Sequence, residues 1–142
     1  MTKIIGLTFG SKTDNQLIEW GWFLLRVGLA LLMLRHGFGK LMGFSDMAPN
    51  FFDPFGLGGP VSLALVVGSE FFGSLFILFG FLTRWSSFTI IFTMFVAAFL
   101  AHGPDPFHKK ELALVYALGF FYFMLAGSGK YSVDHYLKKI IS

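Results

Sequence analysis

Apolar positions fall into four long runs, Leu17 to Leu34, Val61 to Leu82, Trp85 to Ala101 and Leu112 to Ser128, divided by stretches where charge, proline and glycine gather. Each run reaches the roughly 17 residues that a helix needs to cross hydrocarbon with every backbone amide satisfied internally. The pattern predicts an all-α integral membrane protein, a four-transmembrane-helix bundle with spans over about residues 17–36, 60–83, 85–102 and 111–128 in a single membrane domain covering 1–142. Thr83 and Arg84 alone divide the second run from the third, which demands a tight antiparallel hairpin. The connection from Gly103 to Glu111 contains two prolines. The first connection, Arg35 to Pro60, is the long one, and its Phe44, Phe51, Phe52 and Phe55 suit a segment lying along the membrane surface. Pro60 fits the first turn of the second helix, where its missing N–H costs nothing. After Gly129 the chain leaves the membrane, and Ser132 can cap a short interfacial C-terminal helix through Lys139, with Asp134 in its first turn and Lys138 and Lys139 in its last.

Composition narrows the class further. With 55% hydrophobic residues and 20 phenylalanines, the chain has too little polar surface for a soluble domain. It has no cysteine, which excludes disulfides, thiolate metal sites and thiol redox chemistry, so any redox role needs a bound cofactor or a partner. The net charge of +3 suits anionic headgroups, and no basic stripe interleaved with aromatics points to nucleic acid. The first run follows a polar stretch, Thr8 to Asn15, contains Arg26 and precedes no small-residue cleavage site, as expected of a helix kept in the mature protein. Lys3, Lys12, Arg84, Lys130, Lys138 and Lys139 on one side against Arg35, Lys40, Lys109 and Lys110 on the other favour cytoplasmic N and C termini, in the inner membrane of a bacterium.

Two charges stand inside apolar runs, Arg26 in the first and Glu70 in the second. Arg26 lies ten residues before His36 and Glu70 ten after Pro60, which puts both ~15 Å from the outer surface. Equal depth and opposite sign predict an Arg26–Glu70 ion pair that clamps neighbouring helices. Thr89, Thr93, Ala97 and Ala101 form a small-residue stripe on the third helix, facing Ser69 and Gly73, the pattern of close helix packing. Tyr116 and Tyr122 place hydroxyls within the fourth span, where each needs a partner and one can reach Arg26 or Glu70. Near the outer mouth stand His36, Lys40 and His102, followed by Asp105 and His108. Their spacing matches no metal signature. Imidazoles at such a surface bind headgroups or carbonyls, and haem or pigment would need His36 and His102 to meet across facing helices.

Arg26-Val-Gly-Leu followed by His36-Gly-Phe-Gly-Lys40-Leu-Met-Gly-Phe44, then Glu70-Phe-Phe-Gly73, Phe79-Gly-Phe-Leu-Thr-Arg84 and Gly127-Ser-Gly-Lys-Tyr-Ser-Val-Asp134, together resemble the DoxX family of small membrane proteins, over roughly residues 18–135. The chain departs in its longer phenylalanine-rich first connection and in Lys130, where the family pattern has arginine. The resemblance implies a four-helix membrane bundle and a membrane subunit of a quinone-linked oxidoreductase or electron-transfer complex, not catalytic alone. Quinone, the lipid bilayer and other membrane subunits are then the expected partners. The ligand candidates are His36, Lys40, His102, Tyr116 and Tyr122. The alternative is a non-catalytic scaffold or assembly subunit, whose aromatic faces dock onto larger membrane subunits.

Overall fold

The computed structural model describes residues 15–141, so Lys3 and Lys12 of the charge count, and the polar stretch from Thr8 up to Asn15, lie outside the described residues. Among the described residues every regular element is helical. They are α1 (Asn15–Met42), α2 (Phe44–Met47), α3 (Gly59–Phe79), α4 (Thr83–Ala101), α5 (Phe107–Ala126) and α6 (Val133–Ile141), with a 3-10 turn over Ala48–Asn50. Three of them, α1, α3 and α4, are long and apolar enough to cross a membrane. The 20-residue α5 carries Lys109, Lys110 and Glu111 in its first turns. Its uncharged stretch therefore runs only from Leu112 to Ala126, about 22 Å at 1.5 Å per residue.

Helix α1 continues through Arg35 and His36 to Met42, beyond the expected limit at residue 36. No proline interrupts it, glycines are tolerated where neighbouring helices satisfy the backbone, and Lys40 in its last turn complements the C-terminal dipole. The long connection is not extended chain. It folds into α2 and the 3-10 turn, and Ala48 then packs with Leu63 and Val67 of α3 while Phe44 and Phe51 close over them.

The α3–α4 hairpin is as tight as the sequence requires. Gly80, at φ +69, ends α3 in the left-handed conformation. Its N–H bonds Ile77 O, and that of Phe81 bonds Phe76 O, the paired bonds of a Schellman stop. Leu82 is also left-handed, at φ +48, and pays a steric cost that glycine would not. Asp134 of α6 secures it, accepting from the N–H of Leu82 at 2.8 Å and of Thr83 at 3.0 Å. Ser132 caps α6 as expected, its Oγ accepting from His135 N–H. Asp134 stands in the first turn of α6 as expected, and it also caps the start of α4.

The main core lies between α1, α3, α4 and α5, where Ala30 and Met33 meet Ile77, Ile90, Met94, Phe120 and Phe123. Helix α5 runs along α4 and touches α1, closing the bundle. Lipid tails are as apolar as these side chains, so close contact and internal hydrogen bonds hold the bundle together. Carbonyls freed at the end of α5 receive three donors from neighbouring elements. Trp22 Nε1 donates to Gly127 O at 3.1 Å, Arg84 Nη2 to Leu125 O at 3.2 Å, and Arg26 Nη1 to Ser128 O.

Helices α1 and α3 meet backbone to backbone at Gly37. A Cβ built there would stand 2.5 Å from Phe71 N and 2.7 Å from the carbonyl carbon of Glu70, both backbone atoms that cannot yield cheaply. Gly37→Ala is expected to cost about 2 kcal/mol or more, read as a lowered melting temperature in detergent. Gly28→Ala, where nothing lies within 4 Å, should leave it unchanged.

A phenylalanine-lined cavity floored by an ion pair

Arg26 and Glu70 are both almost fully buried, at 1% and 3% exposure, but they do not pair. Gly37 abuts the backbone of Glu70, whereas the Arg26 guanidinium lies beside Gly80. Ten residues of α3 separate those two levels, ~15 Å along the axis. The expected pairing took His36 as the membrane boundary of α1. The helix runs on to Met42, which sets Arg26 deeper than that count allowed. Its charge is held instead by carbonyl oxygens, Nη1 on Ser128 O and Nη2 on Tyr131 O at 2.7 Å, with the Phe23 ring 5.5 Å from its centre. A cation at the C-terminal end of α5 also meets the negative end of that helix dipole.

Glu70 takes Lys40 as its partner, Nζ to Oε2 at 2.5 Å. Three residues past Gly37, Lys40 shares its helix face and reaches across the close contact. The Lys40 side chain is 26% exposed. Glu70 sits in a π turn, Gly68–Phe72, closed by a bond from Gly73 N–H to Gly68 O. Helix α4 opens into a second π turn over Val96–Ala101, ending with His102 N–H on Ala97 O at 2.9 Å. Such wide turns displace the backbone by one residue and recur at functional sites.

Between these two turns lies a cavity of about 610 Å³. Lys40 and Glu70 reach it from α1 and α3, and Ser69, Thr89 and Thr93 add hydroxyls. Thr93 donates to Thr89 O at 2.9 Å and shares a 3.0 Å bond with Ser69 Oγ. Phe51, Phe52, Phe55, Phe88 and Phe92 line the remainder, with Phe55 stacked on Phe92 at 6.3 Å. The segment bearing Phe51 to Leu57 is pinned by Asp53, whose carboxylate accepts from Leu57 N–H at 3.0 Å, Gly58 N–H at 2.7 Å and Ser62 Oγ at 2.8 Å. The Ser62 hydroxyl, then the Gly58 amide, hold the Asp53 carboxyl below the usual carboxylate range. His102 stands at the cavity rim with Nδ1 2.8 Å from Asp105 Oδ2, and Lys109 Nζ lies 3.7 Å from the other oxygen. That hydrogen bond to His102 is the main reason Asp105 also sits below the carboxylate range.

The motifs that resembled a family are matched by comparison. The DoxX family profile covers residues 21–103. The chain belongs to the DoxX family. It is 34% identical over 130 residues to the inner membrane protein YqjF of Escherichia coli K12, covering 88% of this chain and 98% of that protein. Two uncharacterized proteins of Haemophilus influenzae are 27% and 30% identical, over 82% and 78% of this chain. No solved structure matches. With its apolar helices, membership makes the chain a multi-pass membrane protein.

Of the five ligand candidates in this DoxX chain, Lys40 and His102 line the cavity. His36 and Tyr116 meet elsewhere on α1 and α5, edge to face at 5.7 Å. His36 therefore does not face His102 across the cavity. Tyr122 stands apart against Trp22 at 5.3 Å. Among the described residues no three His, Asp or Glu side chains converge as metal ligands. Two features differ from what the sequence chiefly suggested. Glu70 belongs to the cavity, not to a clamp with Arg26. The stripe Thr89, Thr93, Ala97 and Ala101 borders open space, where close packing alone was expected. The signal was present, since short side chains remove volume and five phenylalanines nearby can roof what is left.

A double-mutant cycle checks the pairing. Glu70→Gln or Lys40→Met alone should cost about 2 kcal/mol, below the ~3–5 of a fully buried pair because Lys40 is partly exposed. The double variant should recover about 1 kcal/mol or more of that loss, while Glu70→Gln combined with Arg26→Met should add within about 0.5 kcal/mol. Thermal unfolding in detergent measures all of these, and additivity between positions 40 and 70 would contradict the geometry.

Proposed function

We propose that this protein is a membrane subunit of a quinone-linked oxidoreductase or electron-transfer complex, and that the phenylalanine-lined cavity takes the quinone ring. The observation that carries the proposal is the joining of an apolar, aromatic cavity to a buried ion pair at its floor. Cavities of ~300–1,000 Å³ with apolar walls and few convergent polar groups are the usual form of small-molecule sites, and this one is about 610 Å³. A quinone presents flat apolar faces and two carbonyl oxygens. Phe55 and Phe92 offer ring faces to the first, Lys40 an ammonium donor to one carbonyl, and His102, oriented by Asp105, a ring nitrogen at the rim. Those titratable groups can also exchange protons with a reduced ring. The chain has no cysteine and no dinucleotide fingerprint, so electrons come from a partner subunit.

In this arrangement α1, α3, α4 and α5 all cross the bacterial inner membrane, with both termini cytoplasmic and the cavity toward the periplasmic side. One observation favours the scaffold alternative. Only 17% of the apolar window of α1 is buried, against 44% for α3 and 39% for α4. Such a face suits contact with larger membrane subunits as well as lipid.

The neutral double variant Lys40→Met/Glu70→Gln, which leaves no unpaired buried charge, separates the two. Titration of the purified protein with a short-chain quinone should show about tenfold or greater weakening, the loss of one charged hydrogen bond worth ~1.5 kcal/mol, while partner subunits still co-purify. Unchanged quinone affinity would overturn the proposal, and loss of the partners with unchanged quinone affinity would favour the scaffold.

A further inference from the structure

The opposite end of the bundle carries a second concavity that the quinone proposal does not use. A cleft of about 660 Å³ opens between the Gly80–Leu82 turn, the Gly127–Gly129 loop and α6. We propose that it binds the phosphate group of an anionic phospholipid in the leaflet on the side of the chain termini.

Cations reach the cleft from three separate elements, Arg84 from the first turn of α4, Lys130 from the loop after α5, and Lys138 from α6. The two carboxylates lining it are engaged by backbone donors. Glu19 accepts from Lys130 N–H at 3.2 Å, and Asp134 accepts from the N–H groups of Leu82 and Thr83. Arg84 gives one donor to Leu125 O. None of the three cations forms an ion pair among the described residues.

Thr83 provides an independent sign of a missing partner. It is 0% exposed, lines the cleft, and its Oγ1 has no hydrogen-bond partner. A buried hydroxyl without a partner is costly, and a phosphate oxygen accepts from it readily. An anion here would meet guanidinium and ammonium donors from three elements, with the unpaired Thr83 hydroxyl buried behind them.

The depth of the cleft identifies the source of that phosphate. Trp85, 73% exposed, lines it, and α6 presents Tyr136, Ile140 and Ile141 on the same short helix as Lys138 and Lys139. Exposed tryptophan and an amphipathic helix mark headgroup level. The three lysines at this end of the bundle thereby divide, with Lys130 and Lys138 in the cleft and Lys139 outside its lining.

The test is lipid binding by the purified full chain in a neutral detergent, followed by native mass spectrometry and thermal unfolding. Phosphatidylglycerol should bind and raise the melting temperature by several degrees, whereas phosphatidylcholine, glycerol phosphate and inorganic phosphate should not. Lys130→Gln/Lys138→Gln should weaken phosphatidylglycerol binding tenfold or more without changing the melting temperature of the lipid-free protein. Thr83→Val, which removes only the unpaired hydroxyl, should weaken binding severalfold, and Lys109→Gln at the other end of the bundle should not. Undiminished binding by the double variant, equal loss in Lys109→Gln, or stabilisation by inorganic phosphate alone would each overturn the proposal.

Discussion

A carboxylate in the middle of an apolar helix must find its countercharge inside the protein, because lipid offers none. Much of this fold follows from how Glu70 does so. Its partner Lys40 comes from α1, which has to extend past Arg35 and stay helical to Met42 for that lysine to arrive at the right level. Gly37 has no side chain to hold the helices apart, so its Cα rests against the backbone at Glu70 and Phe71. The π turn over Gly68–Phe72 turns Ser69 and Glu70 toward the same space. An ion pair in this position does more than cross-link helices. It holds two polar groups at the floor of a cavity whose walls are otherwise phenylalanine, threonine and alanine.

The other buried charge obeys the same constraint by different means. Arg26 is satisfied by carbonyl oxygens at the end of α5, where helix geometry leaves acceptors without intrahelical donors. Trp22 and Arg84 serve neighbouring carbonyls, and Asp134 returns from α6 to cap the N-terminus of α4. The bundle is thereby locked at the terminal end by backbone satisfaction and at the cavity end by charge pairing. Both devices suit a setting in which burial against lipid contributes little to helix association.

Runs of apolar residues make α1, α3 and α4 legible, because length and hydropathy report directly on the hydrocarbon they must match. A tight hairpin was equally plain, but its turn falls at Gly80–Leu82, and Thr83 and Arg84, expected to form the connection, begin α4. Partner choice was harder to read. Counting residues from a charged position assumes that a helix ends where the membrane does, and α1 carries Arg35 and His36 exposed beyond any such limit. Gly37, not Arg26, stands level with Glu70, an offset of eleven residues or ~16 Å of helix, and Lys40 takes the place expected of Arg26. The two π turns leave no mark in composition, and without them the threonine and alanine stripe of α4 looks like a packing surface. Lys40 and His102 were recognised because ionisable groups near a span end are few. Asp53 and the roof it fixes were not, since its role depends on the backbone conformation of Leu57 and Gly58.

The central claim is that a quinone occupies the space between the Phe51–Leu57 segment and the π turns of α3 and α4. Photo-crosslinking with an azido-quinone, followed by peptide mapping of the labelled protein, examines that placement most directly. The account predicts label concentrated on the segment containing Phe51 to Leu57 and on α4 between Phe88 and Ala97, competed away by unlabelled quinone. Label spread along the exposed leucines of α1, indifferent to competitor, would contradict it.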